Sequence, residues 1–153
     1  MKPVIIGMHN AKSSDPADAM EPYTVNGAGE RLWTMVNAVC GCSREKYSAQ
    51  FELMNILEAK EWSAKDANLS AGLVRFKLSG RICFVLGRET WEALKLPKLA
   101  KWFSTERSYT GTKYILLPHP SGRNVMYNDA KMRNKAGTML AKAGGFIDVP
   151  AQL

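Results

Sequence analysis

The amino-acid sequence predicts an α/β fold, a three-layer sandwich in which a mainly parallel sheet of about four strands carries helices on both faces. Three observations support this. Short apolar runs stop abruptly at glycine or proline, as in Val4–Gly7, Ile82–Gly87 and Tyr114–Pro118. Segments whose apolar residues recur at helical spacing lie between those runs. The 153 residues are enough for one domain with a real core, spanning 1–153 without a linker. Strands that alternate with helices are joined by crossovers, which makes their pairing parallel.

Pro3 to Gly7 is an apolar run stopped by glycine and reads as a short buried strand. Residues 11–29 are rich in Ser, Asp, Pro, Gly and Asn without a sustained period, so they form an irregular surface or binding loop. Leu32, Trp33, Val36, Val39 and Cys40 recur at helical spacing, and Gly41 is placed to stop that helix. Phe51 to Leu57 is apolar enough for a second strand, with a helix as the alternative. From Asp66 to Lys77 a helix is expected to gather Leu69, Leu73, Val74 and Phe76 on one face, ending before Ser79-Gly80. Ile82 to Leu86 is continuously apolar, the pattern of a central parallel strand covered on both sides, and a helix follows from about Thr90 to Leu96. Pro97 to Thr112 is basic and aromatic. It reads either as a partly buried helix with solvated lysines, the better supported choice, or as a segment lying on nucleic acid. Met132, Ala136, Met139, Leu140 and Ala143 mark a last helix, capped by Asn128 or Asp129 and ended by Gly144-Gly145.

Composition narrows the class. A chain 46% hydrophobic and 23% charged, with no apolar run of membrane-spanning length, is expected to be soluble. Its N-terminal apolar stretch is too short for a signal peptide, so a cytoplasmic location is expected, nucleoid-associated if the source is bacterial or viral. The net charge of +7 suits a polyanionic partner or a merely basic surface. Cys40, Cys42 and Cys83 form no zinc-type pattern and read as reduced thiols, and with only two histidines no metal set is expected. Gly87-Arg88-Glu89-Thr90 lacks the lysine of a phosphate-cradling loop, and no dinucleotide fingerprint follows the first strand. No cofactor is expected.

The richest segment is Tyr114 to Asn124, where an apolar run breaks into Pro118-His119-Pro120-Ser121-Gly122-Arg123-Asn124. Two prolines hold His119 in a rigid turn. Ser121 and Gly122 then offer a hydroxyl and open backbone amides to an anion, with the Arg123 cation beyond them. The sequence HPSGRN closely resembles the second signature motif of the uracil-DNA glycosylase superfamily. Other segments are similar in the same order over roughly residues 3 to 145. Val4 to Asn10 resembles the family's first motif, Gly-Met/Ile-Asn-Pro. Glu30-Arg31-Leu32-Trp33 resembles its Asn-Arg-Phe-Trp helix start, and Phe84 to Arg88 its strand running into Leu-Gly-Lys. The chain looks closest to the mismatch-specific branch, with the arginine of the single-strand-selective branch at Arg123.

That resemblance implies a monofunctional DNA glycosylase that flips uracil or a modified or mismatched pyrimidine and hydrolyses its glycosidic bond, leaving an abasic site without a covalent enzyme intermediate. His119 would donate to the departing base, whose carbonyl oxygen gathers negative charge. Ser121, Gly122 and Asn124 would contact DNA, and Arg123 would fill the hole left by the flipped base. Gly7 and Met8 would border the base, and Tyr23 would stack on it, with Val25 as a rival for that place. The first motif departs from the family where water is activated, because His9 stands where Asp or Asn is usual and Asn10 where proline is usual. His9 as base or Asn10 as a positioning group are the two choices for the water. The implied partner is single- or double-stranded DNA, bound by a monomer, with no membrane involved. The alternatives are a catalytically inactive glycosylase-like module that binds a base, nucleotide or DNA, and an enzyme acting on free nucleosides or modified nucleotides.

Overall fold

The computed structural model describes residues 1–121 and 124–148. Strands β1 (Val4–Gly7), β2 (Glu52–Asn55), β3 (Ile82–Leu86), β4 (Thr105–Arg107) and β5 (Lys113–Leu117) form a five-stranded sheet in the order β2-β1-β3-β5-β4. The four longer strands are mutually parallel, and only β4 is antiparallel, on the edge beside β5. After β1 the chain moves to β2 on one side, then crosses to β3 on the other. The order therefore reverses between β1 and β3, and their carboxyl ends diverge there to leave a crevice.

Helices α1 (Ala28–Cys40), α2 (Arg44–Gln50) and α5 (Ala130–Ala143) cover one face. Helices α3 (Ala64–Lys77) and α4 (Arg88–Ala93) cover the other. Alternate strand residues divide the core accordingly. Val4, Ile6, Cys83, Val85, Tyr114 and Leu116 pack under α3 and α4. Ile5, Phe84, Leu86, Ile115 and Leu117 pack under α1 and α5. Both sets are buried, which is why these strands are apolar without alternation. No helix among the described residues is long and apolar enough to cross a membrane.

The α/β sandwich agrees with the sequence expectation, with differences in three places. Pro97 to Thr112 holds no α-helix: its regular element is β4, joined to β5 by a tight turn in which Gly111 has φ +85°. Helix α2 was not expected from periodicity. The Ser43 hydroxyl caps it by accepting from the Lys46 amide at 3.1 Å, and it buries Tyr47 completely. Phe51 to Leu57 supplies β2, the strand expected there.

The third difference concerns the face of α3. Val74 points into the core as expected, but its companions there are Ala67, Ala71 and Leu78. Leu69, Leu73 and Phe76 face outward, 70%, 73% and 84% exposed. Two apolar stripes compete on this helix. The small one wins because alanines let the helix backbone lie close to the sheet, where bulkier side chains would hold it off. Ala71→Leu should accordingly destabilise the protein by about 1–3 kcal/mol through overpacking. Leu73→Gln, at similar helix propensity, should change stability by less than about 0.5 kcal/mol. Urea unfolding checks both, and a larger loss at Leu73 would overturn this orientation of α3.

Candidate active site

Strand β1 ends at Gly7, directly opposite Asn55 at the end of β2. The pairing continues past the strands, as the Ile56 amide donates to the Gly7 carbonyl at 2.9 Å and the Leu57 amide to that of Met8 at 3.1 Å. Gly7 leaves room for its neighbours: a Cβ there would stand 2.7 Å from Asn55 Oδ1 and 2.8 Å from Met20 Sδ, so those side chains would have to shift. His9 follows, its ring tilted against Trp62 with centroids 6.1 Å apart, and its buried Nδ1 has no partner among the described residues.

Strand β5 delivers the second histidine. The Gly87 amide donates to the Leu117 carbonyl at 2.8 Å, tying the ends of β3 and β5 together, and Pro118 and Pro120 are both buried beside His119. A Cβ on Gly87, whose φ is +88°, would lie 3.2 Å from His119 Cβ. Asn124 fastens the far side of the turn: its Nδ2 donates to the His119 carbonyl at 3.0 Å while its Oδ1 accepts from the Met126 amide at 3.0 Å. That side chain holds the turn in shape.

A cleft of about 610 Å³ opens above these strand ends. His9, Asn10, Asn55 and His119 line it together with the loop after β1 and the first residues of α1. Met20, in the left-handed region at φ +55°, also lines it. Asn55 is the residue that sequence reasoning missed. It is only 9% exposed and its Oδ1 lacks a partner among the described residues. A polar amide inside the largely apolar Phe51–Leu57 run was its one signal, since a buried amide oxygen without a partner costs free energy unless a ligand completes it.

The other sequence candidates distribute unevenly. Asn10 lines the cleft, but its amide serves the loop: Oδ1 accepts from the Lys12 amide at 3.0 Å and Nδ2 donates to the Asp18 carbonyl at 3.4 Å. Met8 is half-buried and, like Gly7, lies outside the cleft lining. Tyr23 is 54% exposed and does not line the cleft, whereas its rival Val25 does. The Glu21 carboxylate orders this stretch, accepting from the Tyr23 and Thr24 amides and from the Thr24 hydroxyl. Ser121 is half-buried beside His119. Gly122 and Arg123 lie outside the described residues. Among the described residues, no group of His, Cys, Asp and Glu converges as metal ligands would.

Burial, and after it the neighbouring His9, lowers the His119 pKa from 6.5 to about 4. The ring is therefore neutral at physiological pH and offers one N–H as a donor. As pH falls the unfolded chain takes up this proton first, so stability should drop between about pH 6.5 and pH 4. The loss attributable to this ring is at most about 3 kcal/mol. Urea midpoints measured across that range should fall more steeply for the native chain than for His119→Gln. Equal slopes would assign the acid sensitivity to other groups.

The comparisons with known proteins agree with this architecture. A search of curated proteins finds no match. The family model described as "Uracil DNA glycosylase superfamily" matches residues 3–141, from the start of β1 into α5 and so across every strand and the whole cleft. A sheet whose strand ends present His9, Asn55 and His119 to one crevice thus comes with a family-wide pattern over nearly the entire chain, and the chain belongs to the uracil-DNA glycosylase superfamily.

Proposed function

We propose that the protein is a monofunctional DNA glycosylase that hydrolyses the N-glycosidic bond of uracil or a modified or mismatched pyrimidine, leaving an abasic site. The observation that carries this reading is the convergence on one cleft at the strand ends of the neutral His119 ring and the buried side chain of Asn55, whose Oδ1 has no partner among the described residues. The Asn55 amide presents a donor and an acceptor side by side, which suits two adjacent positions on the Watson–Crick edge of a flipped pyrimidine. Breaking the bond from ring nitrogen to sugar sends its electron pair to the base. His119 then donates to the carbonyl oxygen where that charge collects, and one such donor lowers the barrier by about 3 kcal/mol.

Water must add to the sugar carbon and lose a proton. His9 is the better candidate to orient or accept from that water, because its Nδ1 is free of partners among the described residues while the Asn10 amide is already committed to the loop. Ser121 and Gly122 grip the flanking phosphates, and Arg123 occupies the space vacated by the base.

The test incubates the protein with single- and double-stranded oligonucleotides bearing uracil, mismatched thymine or hydroxymethyluracil, then applies alkali to cut abasic sites. Scission with at least one of them is expected; none, at saturating DNA, would sink the proposal in favour of a binding module. His119→Ala should lower the rate about 100-fold or more with little change in affinity. Asn55→Ala should cost about 10- to 100-fold, and His9→Ala more than Asn10→Ala. Arg123→Ala should lose more on duplex than on single strands, as expected of a residue that replaces a flipped base.

A further inference from the structure

A second hollow, about 710 Å³, lies toward the opposite end of β5 from the cleft. The strand registers fix that placement: Arg107 pairs with Lys113 at the start of β5, four residues before Leu117, where the active-site turn begins. The second half of α3, the chain after α4 and the β4–β5 turn form its walls, and Tyr114 contributes from β5.

Its chemistry is one-sided. Arg75, Lys95, Lys98 and Arg107 line it against a single carboxylate, Glu106. The ion pairs found among the described residues, Arg44–Glu30 and Arg81–Glu52, involve none of these four cations. Arg75 Nη1 is buried without a hydrogen-bond partner among the described residues, a guanidinium donor that a ligand could use. Two aromatic rings border the same hollow with their surfaces open, Tyr109 at 102% exposure and Phe76 at 84%. Cations lining a groove with bare aromatic faces at its border suit phosphates in sequence and unpaired bases that stack. A second copy of this chain is disfavoured, because a +7 molecule would have to bring its own positive charge to this face.

We propose that this groove binds single-stranded nucleic acid, with Arg75, Lys98 and Arg107 on phosphates and Tyr109 and Phe76 stacked on bases. The strand is held at a place remote from the cleft, and the proposal does not depend on glycosylase activity. Placing base stacking on rings that belong to α3 and the β4–β5 turn makes the contact tolerant of sequence, since every base has a face to stack.

The test uses the full chain and an oligodeoxythymidylate of about 12 nucleotides carrying one 5-iodocytosine, matched to the footprint of single-strand grooves. Irradiation should crosslink it to Tyr109 or Phe76, identified by peptide mapping. Tyr109→Ala should weaken binding about tenfold in fluorescence anisotropy. The double variant Lys98→Glu, Arg107→Glu should weaken it at least tenfold and flatten its salt dependence by about two units of slope. Unchanged thermal melting of the variants excludes misfolding as the cause, and Ser108→Ala serves as a second probe of the turn should Tyr109→Ala not fold. His119→Ala should leave the crosslink in place, which separates this outcome from the fate of the glycosylase proposal. Crosslinks confined to the cleft, native affinity in the folded groove variants, or full displacement by free thymidine monophosphate would each overturn the proposal.

Discussion

Burial of the parallel strands on both faces is the constraint from which the rest of the molecule follows. Ile5, Ile6, Phe84, Val85, Leu86, Leu116 and Leu117 have no exposed face, so none can be exchanged for a polar group without stranding it in the core. Chemistry is thereby pushed to the ends of the strands, where the backbone can leave the sheet. His9, Asn55 and His119 all occur within two residues of such an end. The reversal of strand order between β1 and β3 opens the space they share.

The same constraint sets the electrostatics. A histidine two residues from a fully buried strand end, enclosed by two buried prolines, is partly desolvated and cannot easily carry charge. Its neutrality follows from where the turn is anchored. The Gly87 amide clamps Leu117, and Asn124 clamps the His119 carbonyl, so the turn carrying the ring is held by bonds directed at its backbone. Asn55 is held in the same manner, by a ladder position opposite Gly7, and its Oδ1 has no partner among the described residues. Both groups are preorganised, and both have spare hydrogen-bonding capacity to offer a ligand.

Much of this was legible in the residues. β3 and β5 are uninterrupted apolar runs ended by glycine or proline, and no helical period competes with them. The helices α1 and α5 declare themselves through spacing and through Gly41 and Asp129, which act as the stop and the cap. His119 stands out because Pro-His-Pro allows little else. What stayed hidden was whatever depended on a neighbour distant in sequence. β4 is three residues with no apolar pattern, a strand only because the edge of β5 is available to pair with it. α2 is too short for a period, and it exists because Ser43 caps it and Tyr47 finds a pocket under α1.

The sequence by itself determined the class of fold, the order of the main elements and the rigid turn carrying His119, because burial periodicity and the restrictions of proline and glycine are local properties. Only the tertiary structure decided that α3 would bury its alanines and expose Leu69, Leu73 and Phe76, since that choice depends on how closely a helix can approach the sheet. It alone decided that Asn55 would stand beside Gly7 and join the two histidines: register between β1 and β2 is a relation between strands 48 residues apart, Gly7 to Asn55, and no local pattern encodes it.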